Sequence, residues 1–515
     1  MAYPNRLSFP LAAVLINVTV AAGLGLAASG RRAESLDPLG RQVFQEAMRL
    51  ADSAWDDRAA LVNSLGSESP RRGGSSHRHL VRETSWYASG LLFRDGPGDR
   101  ERAIRALNAV LNEQINEPGE RWHGTFYRAP EEPRPLPSAQ MWVNYDPNWR
   151  SFIGTTFSVI LIEFPDRLPK SLIDHMEASI RMALQGEMHE GRLLVTYTNI
   201  SLMYGFLLDW AGRRFSDPDF EKRAAAWNAE VYRNFKRHGT FDEYNSPTYC
   251  GVDLYGLALW RLYGSPAMRG WGTEMEAGLW RDLALFYHAG LRNLSGPYDR
   301  SYGMDMTRYV SLVGLWLRTV LPPESAPLPA IAPNTDHDND MFYAPLYLIL
   351  GTRIPAGAMK QFAAFAGERQ VERAIDNNRV ATAWIGPDRM LGGEMTHRTR
   401  DARPNFNQFH PATVHWKLPD GQVGWIRLIE SPRVDARAAK DRLSIEAIGD
   451  CRFRVWAPGA DAANIAKTLW KLPGLTLAVD SDAMDMGVQP AGDALDIVYR
   501  AQTRMTLTVQ AGSGR

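Results

Sequence analysis

With two cysteines among 515 residues, Cys250 and Cys451, the chain has no disulfide framework, and its 11 histidines nowhere share a zinc-site spacing with them. Neither a metal nor a cofactor is implied. Net charge is missing too: 58 Lys plus Arg balance 58 Asp plus Glu, so no overall field favours nucleic acid or a membrane, and charge selectivity must be local to a site. Beyond residue 30 no stretch is long and apolar enough to span a bilayer. The two thiols fall in regions read below as different domains. That leaves an inter-domain disulfide open but favours two buried free thiols.

What the chain does have is length and flat rings. It is long enough for a large core and for two or three domains. Sixteen Trp and 18 Tyr suit carbohydrate stacking, and equally suit large aromatic cores. The first 30 residues carry one basic side chain, Arg6, ahead of an apolar run at 9–28 that ends in Ala27, Ala28, Ser29 and Gly30. Residues 1–30 therefore read as an export signal, or as a membrane anchor if they are not cleaved, and the protein as secreted or periplasmic.

Residues 36–351 read as helices of two alternating kinds. Segments 168–188 and 218–237 each show one apolar stripe (Ile173, Met176, Ile180; Phe220, Ala224, Trp227, Val231) against a charged face, so one side of each meets water. Segments 149–162, 198–210, 247–263 and 303–321 are apolar nearly all round, as enclosed helices are. Further outer members are expected at 36–64, 99–115 and 271–291, and inner ones at 84–93 and 341–350. The inner starts recur at about 50 residues, the period of a two-helix unit. Such alternation makes a ring of helical hairpins, an (α/α) toroid of five or six pairs. From 355 to 512 the pattern changes to short alternating segments, at 379–385, 413–417, 423–429, 443–448, 452–456, 475–479, 495–499 and 505–509, with a turn at Pro419-Asp420-Gly421. The chain is thus read as mainly α plus β, a helical toroid followed by an antiparallel β-sandwich.

Polar residues cluster where the inner helices begin. Tyr145, Asp146, Asn148 and Trp149 open one. Tyr197 and Asn199 open the next, and residues 243–249 the third, with Ser246 as cap and Pro247 in the first turn. Tyr298, Asp299, Arg300, Tyr302 and Asp305 open the fourth. Inner helices of a toroid run the same way, so these groups gather at one mouth, where four helix N-termini favour an anionic group. The connection at 116–147, with five prolines before Pro147 and with Trp122, His123, Phe126, Tyr127, Trp142 and Tyr145, reads as one wall of a cleft. Residues 322–338, again with five prolines, read as a linker, and the polar segment from Gly392 to His410 as facing the toroid's open end.

Asn148-Trp149 in NWRSFIG, Asn199 in YTNISL, Gly239-Thr240-Phe241 leading to Tyr249 and Gly251, and Arg300 in GPYDRSYG follow one another as in a known family. In that order, and in the layout of toroid then β-sandwich, the chain resembles toroidal (α/α) polysaccharide lyases of the hyaluronate and chondroitin lyase type, with a heparinase-like architecture. The resemblance implies β-elimination on a uronic-acid glycan. It makes Trp149 a stacking platform, Asn199 the group that neutralises the uronate carboxylate, Tyr249 a proton-transfer residue and Arg300 a support. Where the family's loop has its His, this chain has Tyr244 and then Asn245. Either the base is a tyrosinate, Tyr249 or failing it Tyr244 or Tyr302, whose pKa a cation such as Arg300 must lower, with Asn199 and Asn245 as amide donors to the anionic group, or the chemistry differs. Trp142, Tyr145, His123, Glu243, Asp299 and His410 complete the candidate substrate contacts. Two other readings stand beside this one. A glycoside hydrolase on the same toroid would use two of Glu243, Asp253, Asp299 and Asp305 as acid and base. A non-catalytic protein would bind the acidic polysaccharide without turnover.

Overall fold

The computed structural model describes residues 32–66, 78–332, 335–403 and 408–510. The proposed signal or anchor at 1–30 lies outside them. Its helices are α1 (Pro38–Ala54), α2 (Val81–Arg94), α3 (Asp99–Asn112), α4 (Trp149–Glu163), α5 (Lys170–Glu190), α6 (Thr198–Phe215), α7 (Pro218–His238), α8 (Tyr249–Tyr263), α9 (Pro266–Phe286), α10 (Leu312–Arg318), α11 (Ala344–Leu350) and α12 (Ala356–Ala363).

The alternation of two kinds of helix has a direct structural counterpart. Helix α4 has no charged residue between Arg150 and Glu163 and buries every residue from Trp149 to Leu161, while α6 buries Thr198 to Gly212 without a break. Helix α7 buries only Phe220, Ala224, Asn228, Val231 and Phe235, the single stripe that spacings of three and four place on one face. The enclosed helices pack α2 on α4, α4 on α6, α6 on α8, α8 on α10 and α11, and α11 back on α2, which closes the ring; α3, α5, α7 and α9 each pair with one of them from outside. At Gly251 helices α8 and α10 meet so closely that a Cβ would lie 2.4 Å from that of Leu312. The Gly251 carbonyl also accepts from Trp316 Nε1 at 2.9 Å.

Two expected helices are shorter than read. The inner segment at 303–321 is helical only over Leu312–Arg318. Asp305 turns the chain first, accepting from the Thr307 N–H and hydroxyl at 2.9 and 2.7 Å, and Ser311 then caps the helix through the Gly314 N–H. The outer segment at 36–64 leaves the helix at Ala54 for a small antiparallel sheet of Trp55–Asp56, Leu61–Asn63 and His79–Leu80.

From Arg369 to Val509 twelve strands form one antiparallel hydrogen-bonded order. It folds back on itself as a sandwich: the strand Asp435–Ala439 lies over Val380–Ile385 and Arg389–Met395, and the Ala438 N–H donates to Thr382 Oγ1 at 2.9 Å. The sandwich has its own core around Trp416, Phe453 and Trp470. The other face of its first strands joins the toroid core through Val371, Ala381, Ala383, Ile385 and Met390. Arg373 pairs with Asp282 of α9 at 2.9 Å, and Arg369 donates to the Leu285 carbonyl at the end of that helix. Cys250 and Cys451 are both free and buried.

Candidate active site

Loop 239–248 delivers the chain to the rim where α8 begins. Ser246 Oγ accepts the Tyr249 N–H at 2.9 Å and donates to the Arg300 carbonyl, so one hydroxyl both caps α8 and fixes the loop that carries Arg300. The neighbouring Glu243 carboxylate is buried. It accepts from the backbone N–H of Asn199 at 2.9 Å, from the Asn199 side-chain amide and from Arg300 Nη1. Arg300 then reaches outward: Nη2 donates to the Tyr249 hydroxyl at 2.7 Å, and the guanidinium carbon lies 3.6 Å from the Tyr249 ring centroid. The Tyr249 hydroxyl is 2.5 Å from that of Tyr302, whose ring is 41% exposed and lies 4.4 Å from the imidazole of His337. A continuous polar line therefore runs Asn199–Glu243–Arg300–Tyr249–Tyr302 from core to surface.

The β-sandwich supports this line. Gln408 Oε1 accepts from Arg300 Nε at 2.9 Å, its carbonyl accepts the Ser301 N–H at 2.7 Å, and Tyr298 and His410 exchange backbone hydrogen bonds. On the other side, Asn148 donates to the Tyr197 hydroxyl at 2.8 Å and accepts from Arg192 at 2.9 Å. The Tyr197 ring lies 6.0 Å from the Arg300 guanidinium. Trp149 is buried beneath Arg82, whose guanidinium is 5.1 Å from its ring.

Burial sets the electrostatics. It pushes the Tyr249 phenol well above its ordinary range, with Tyr302 adding to the rise and Arg300 opposing it. Arg300 does act in the expected downward direction, but it does not bring the Tyr249 pKa below its ordinary value. The guanidinium is already engaged by Glu243, and desolvation of the phenolate outweighs it. Glu243 is also raised, by burial first and against the pull of Arg300. Tyr197 is pushed up to about 12, again by burial first. Asp253, one turn along α8 from Tyr249, is fully buried; neither carboxylate oxygen has a hydrogen bond among the described residues, and burial, with Glu243 adding to it, pushes its pKa well above the usual carboxylate range.

The remaining candidates lie elsewhere. Tyr244 points the other way from Glu243, edge-on to Phe286 in the core. Asn245, at φ +44°, donates to the carbonyls of Ser295 and Pro297. Asp299 is clamped by Arg379 and Arg400 between toroid and sandwich. Asp305 makes the turn at Thr307. His410 is buried, its Nε2 3.3 Å from Arg427 Nη1, and burial first, then that cation, lowers its pKa well below the usual histidine range. His123 Nδ1 accepts the Glu117 N–H at 3.1 Å within the 116–147 connection. In the same connection Tyr145 is buried edge-on to Trp122, whereas Trp142 is 48% exposed.

Sequence reasoning missed His337 and Gln408 as rim residues. His337 Nδ1 lies 3.5 Å from Asp340; His337 falls in the 322–338 segment read as a linker, whose prolines are followed by a polar run at 334–340. The trace in the sequence was that run itself, acidic and amide residues crowded behind prolines.

Residues 41–352 match the family model described as a domain of unknown function, DUF8769, and residues 365–499 match that of a second, DUF8770. No curated protein matches the sequence. Among solved structures, the chain is similar to the chondroitin AC lyase of Streptomyces coelicolor A3, solved with chondroitin sulphate, at 12% identity and a TM-score of 0.46 over 93% of this chain and 80% of that one. It is similar to heparinase III at 9% identity and a TM-score of 0.38, over 96% and 87%. It is similar to the endoglucanase CelQ of Clostridium thermocellum, solved with cellotriose, at 10% identity and a TM-score of 0.26, over 92% and 93%. At these scores the likenesses carry no argument about chemistry, which rests on the site.

Proposed function

The chain belongs to the DUF8769 family, whose description assigns no activity, and from its rim residues we propose that it is an exported polysaccharide lyase that cleaves an acidic, uronic-acid-containing glycan by β-elimination. One observation carries the reading: the Tyr249 hydroxyl stands between the Arg300 guanidinium at 2.7 Å and the Tyr302 hydroxyl at 2.5 Å, above the Asn199–Glu243 pair. Elimination needs a base beside a group that can spread negative charge over a carboxylate, and this arrangement offers both. Arg300 uses three of its five N–H groups on Glu243, Tyr249 and Gln408, which leaves two for a substrate anion.

In this mechanism the Tyr249 phenolate, stabilised by Arg300, takes the proton from the carbon next to the uronate carboxyl. The electron pair of that C–H bond forms the new carbon–carbon double bond as the glycosidic C–O bond breaks. The Tyr249 phenol then returns its proton to the leaving oxygen, which restores the phenolate. The free N–H groups of Arg300 hold the carboxylate while charge develops on it, and Asn199, buried at the core end of the line, holds the Glu243 carboxylate that positions Arg300. The exposed rings of Trp142 and Tyr302 offer sugar faces a platform. The apolar run at 9–28 directs the protein out of the cytoplasm, and recovery of the activity from the periplasm or medium rather than the cytosol tests that part.

A paired-carboxylate hydrolase has less support. Of its four candidate groups only Glu243 joins the rim network; Asp253 is sealed in, and Asp299 and Asp305 are tied to Arg379 with Arg400 and to Thr307. A panel of uronic-acid polysaccharides decides the matter. A lyase yields unsaturated products absorbing in the ultraviolet, and Tyr249→Phe removes that yield while glycan binding persists. Reducing sugar released without new double bonds overturns the proposal in favour of hydrolysis, and binding without any product overturns it in favour of a glycan-binding protein.

A further inference from the structure

Between α1, the end of α10 and residues 323–330 lies a cleft of about 450 Å³, with Gln42, Glu46, Arg292, Thr307, Arg318 and Glu324 among its polar walls. Arg318, the last residue of α10, is 4% exposed. Among the described residues its guanidinium has one hydrogen bond, to the Leu321 carbonyl at 3.3 Å, and takes part in no ion pair. Arg292 lines the same space. Buried charges are ordinarily found paired and hydrogen-bonded, whereas Glu46 and Glu324 share the cleft with Arg318 without forming an ion pair with it among the described residues. Burial does lower the Arg318 pKa, even though Glu46 and Glu324 are near enough to oppose that fall.

We propose that this cleft binds an oxyanion, a carboxylate, sulfate or phosphate group, between the guanidinium groups of Arg318 and Arg292. The planar forks of two arginines match the oxygens of such a group, and the Gln42 amide lines the α1 side as a further donor. The site is separate from the rim, where Arg300 is engaged by Glu243, Tyr249 and Gln408. It is nevertheless joined to it. Arg292 and Thr307 are the two feet of the loop that carries Arg300 and Tyr302, and Asn293 ties that loop's ends through the Met304 carbonyl at 2.8 Å and the Met306 N–H at 3.3 Å. Glu46 and Glu324 in the same walls disfavour an anion, so their charges tune the affinity downward.

The anion comes either free or on an acidic sugar. Isothermal titration of the full chain with sodium sulfate, sodium phosphate and sodium glucuronate, at an ionic strength held constant with chloride, separates the two sources. The expected result is saturable binding of at least one probe, weakened tenfold or more by Arg292→Gln and tightened by Glu46→Gln. Inorganic probes alone binding identifies a free ion, and glucuronate alone binding identifies a sugar acid. Arg318→Gln should abolish binding, and because that residue is buried, the Arg292 and Glu46 variants decide the outcome if it does not fold. No saturable heat with any probe overturns the proposal. So does an affinity that Arg292→Gln leaves unchanged, since that binding would belong to Arg300.

Discussion

Tyr249 is governed by a contest between desolvation and a cation, and desolvation wins. If its phenolate is the base, the reactive fraction at neutral pH is small, and kcat/KM should climb with pH into the alkaline range rather than level off near pH 7. A plateau through neutrality would remove Tyr249 from the base role. Tyr302 contributes to the upward shift, so Tyr302→Phe should move the rising limb to lower pH, which the same profile reads. Asn199, Tyr249 and Arg300 were legible as a group because each stands where a helix or its preceding loop reaches the rim. Tyr244 and Asn245 look equivalent to Glu243 on paper, yet the chain bends at Glu243 and turns through Tyr244 and Asn245, the latter at positive φ, so the three side chains part. Glu243 meets Asn199 and Arg300, while Tyr244 meets Phe286. His337 was illegible, because only the folded ring brings its segment beside Tyr302.

At the scale of elements, caps and burial stripes were readable and long-range pairing was not. Ser246 was expected to cap a helix begun at Pro247; α8 starts instead at Tyr249, and Ser246 Oγ accepts that first N–H from three residues upstream, with a second bond to the Arg300 carbonyl. Ser246→Ala should therefore cost about 1 kcal/mol of stability, the ordinary worth of a side-chain cap, and should also reduce turnover by loosening Arg300. Unchanged turnover alongside lost stability would separate the cap from the site. The sandwich shows why strand boundaries failed. Segments 443–448 and 452–456 are one strand, Arg442–Trp456, whose register shifts between Glu446, Gly449 and Cys451 interrupt the alternation that marks a strand in sequence. The 116–147 connection behaves as packed wall rather than loose chain, since Arg150 bonds the His123 carbonyl and Thr125 bonds that of Asp146. Within it Trp142 is exposed and Tyr145 is not. Trp142→Ala should weaken binding of the substrate glycan by about 1–3 kcal/mol, while Tyr145→Phe should leave it unaltered. Calorimetry with catalytically silent Tyr249→Phe protein measures both.

Across the whole molecule, toroid and sandwich are joined by one core and by a seam in which sandwich residues hold the loop that carries Arg300. His415, on the strand Ala412–Lys417, belongs to that seam: its Nε2 lies 3.0 Å from the Met304 carbonyl, and burial lowers its pKa to about 4. His410 beside it is lowered in the same direction by burial and by Arg427. An unfolded histidine titrates near 6.5, so between about pH 6.5 and 4 the unfolded chain binds protons that the folded chain refuses. Stability is then fully present above about pH 6.5 and declines as pH falls toward 4, by roughly 3 kcal/mol for His415 alone if its whole shift is expressed. His415→Gln retains an N–H for the Met304 carbonyl and removes the titration. Urea midpoints from pH 4 to pH 8 should therefore slope less for this variant than for the parent over the acid half of the range, and coincide in slope above pH 7. Parallel curves throughout would mean that the seam admits a charged imidazole. Because the same seam carries Gln408 to Arg300, activity in the parent should fail in that acid window before the toroid's helical signal is lost, and His415→Gln should delay that failure.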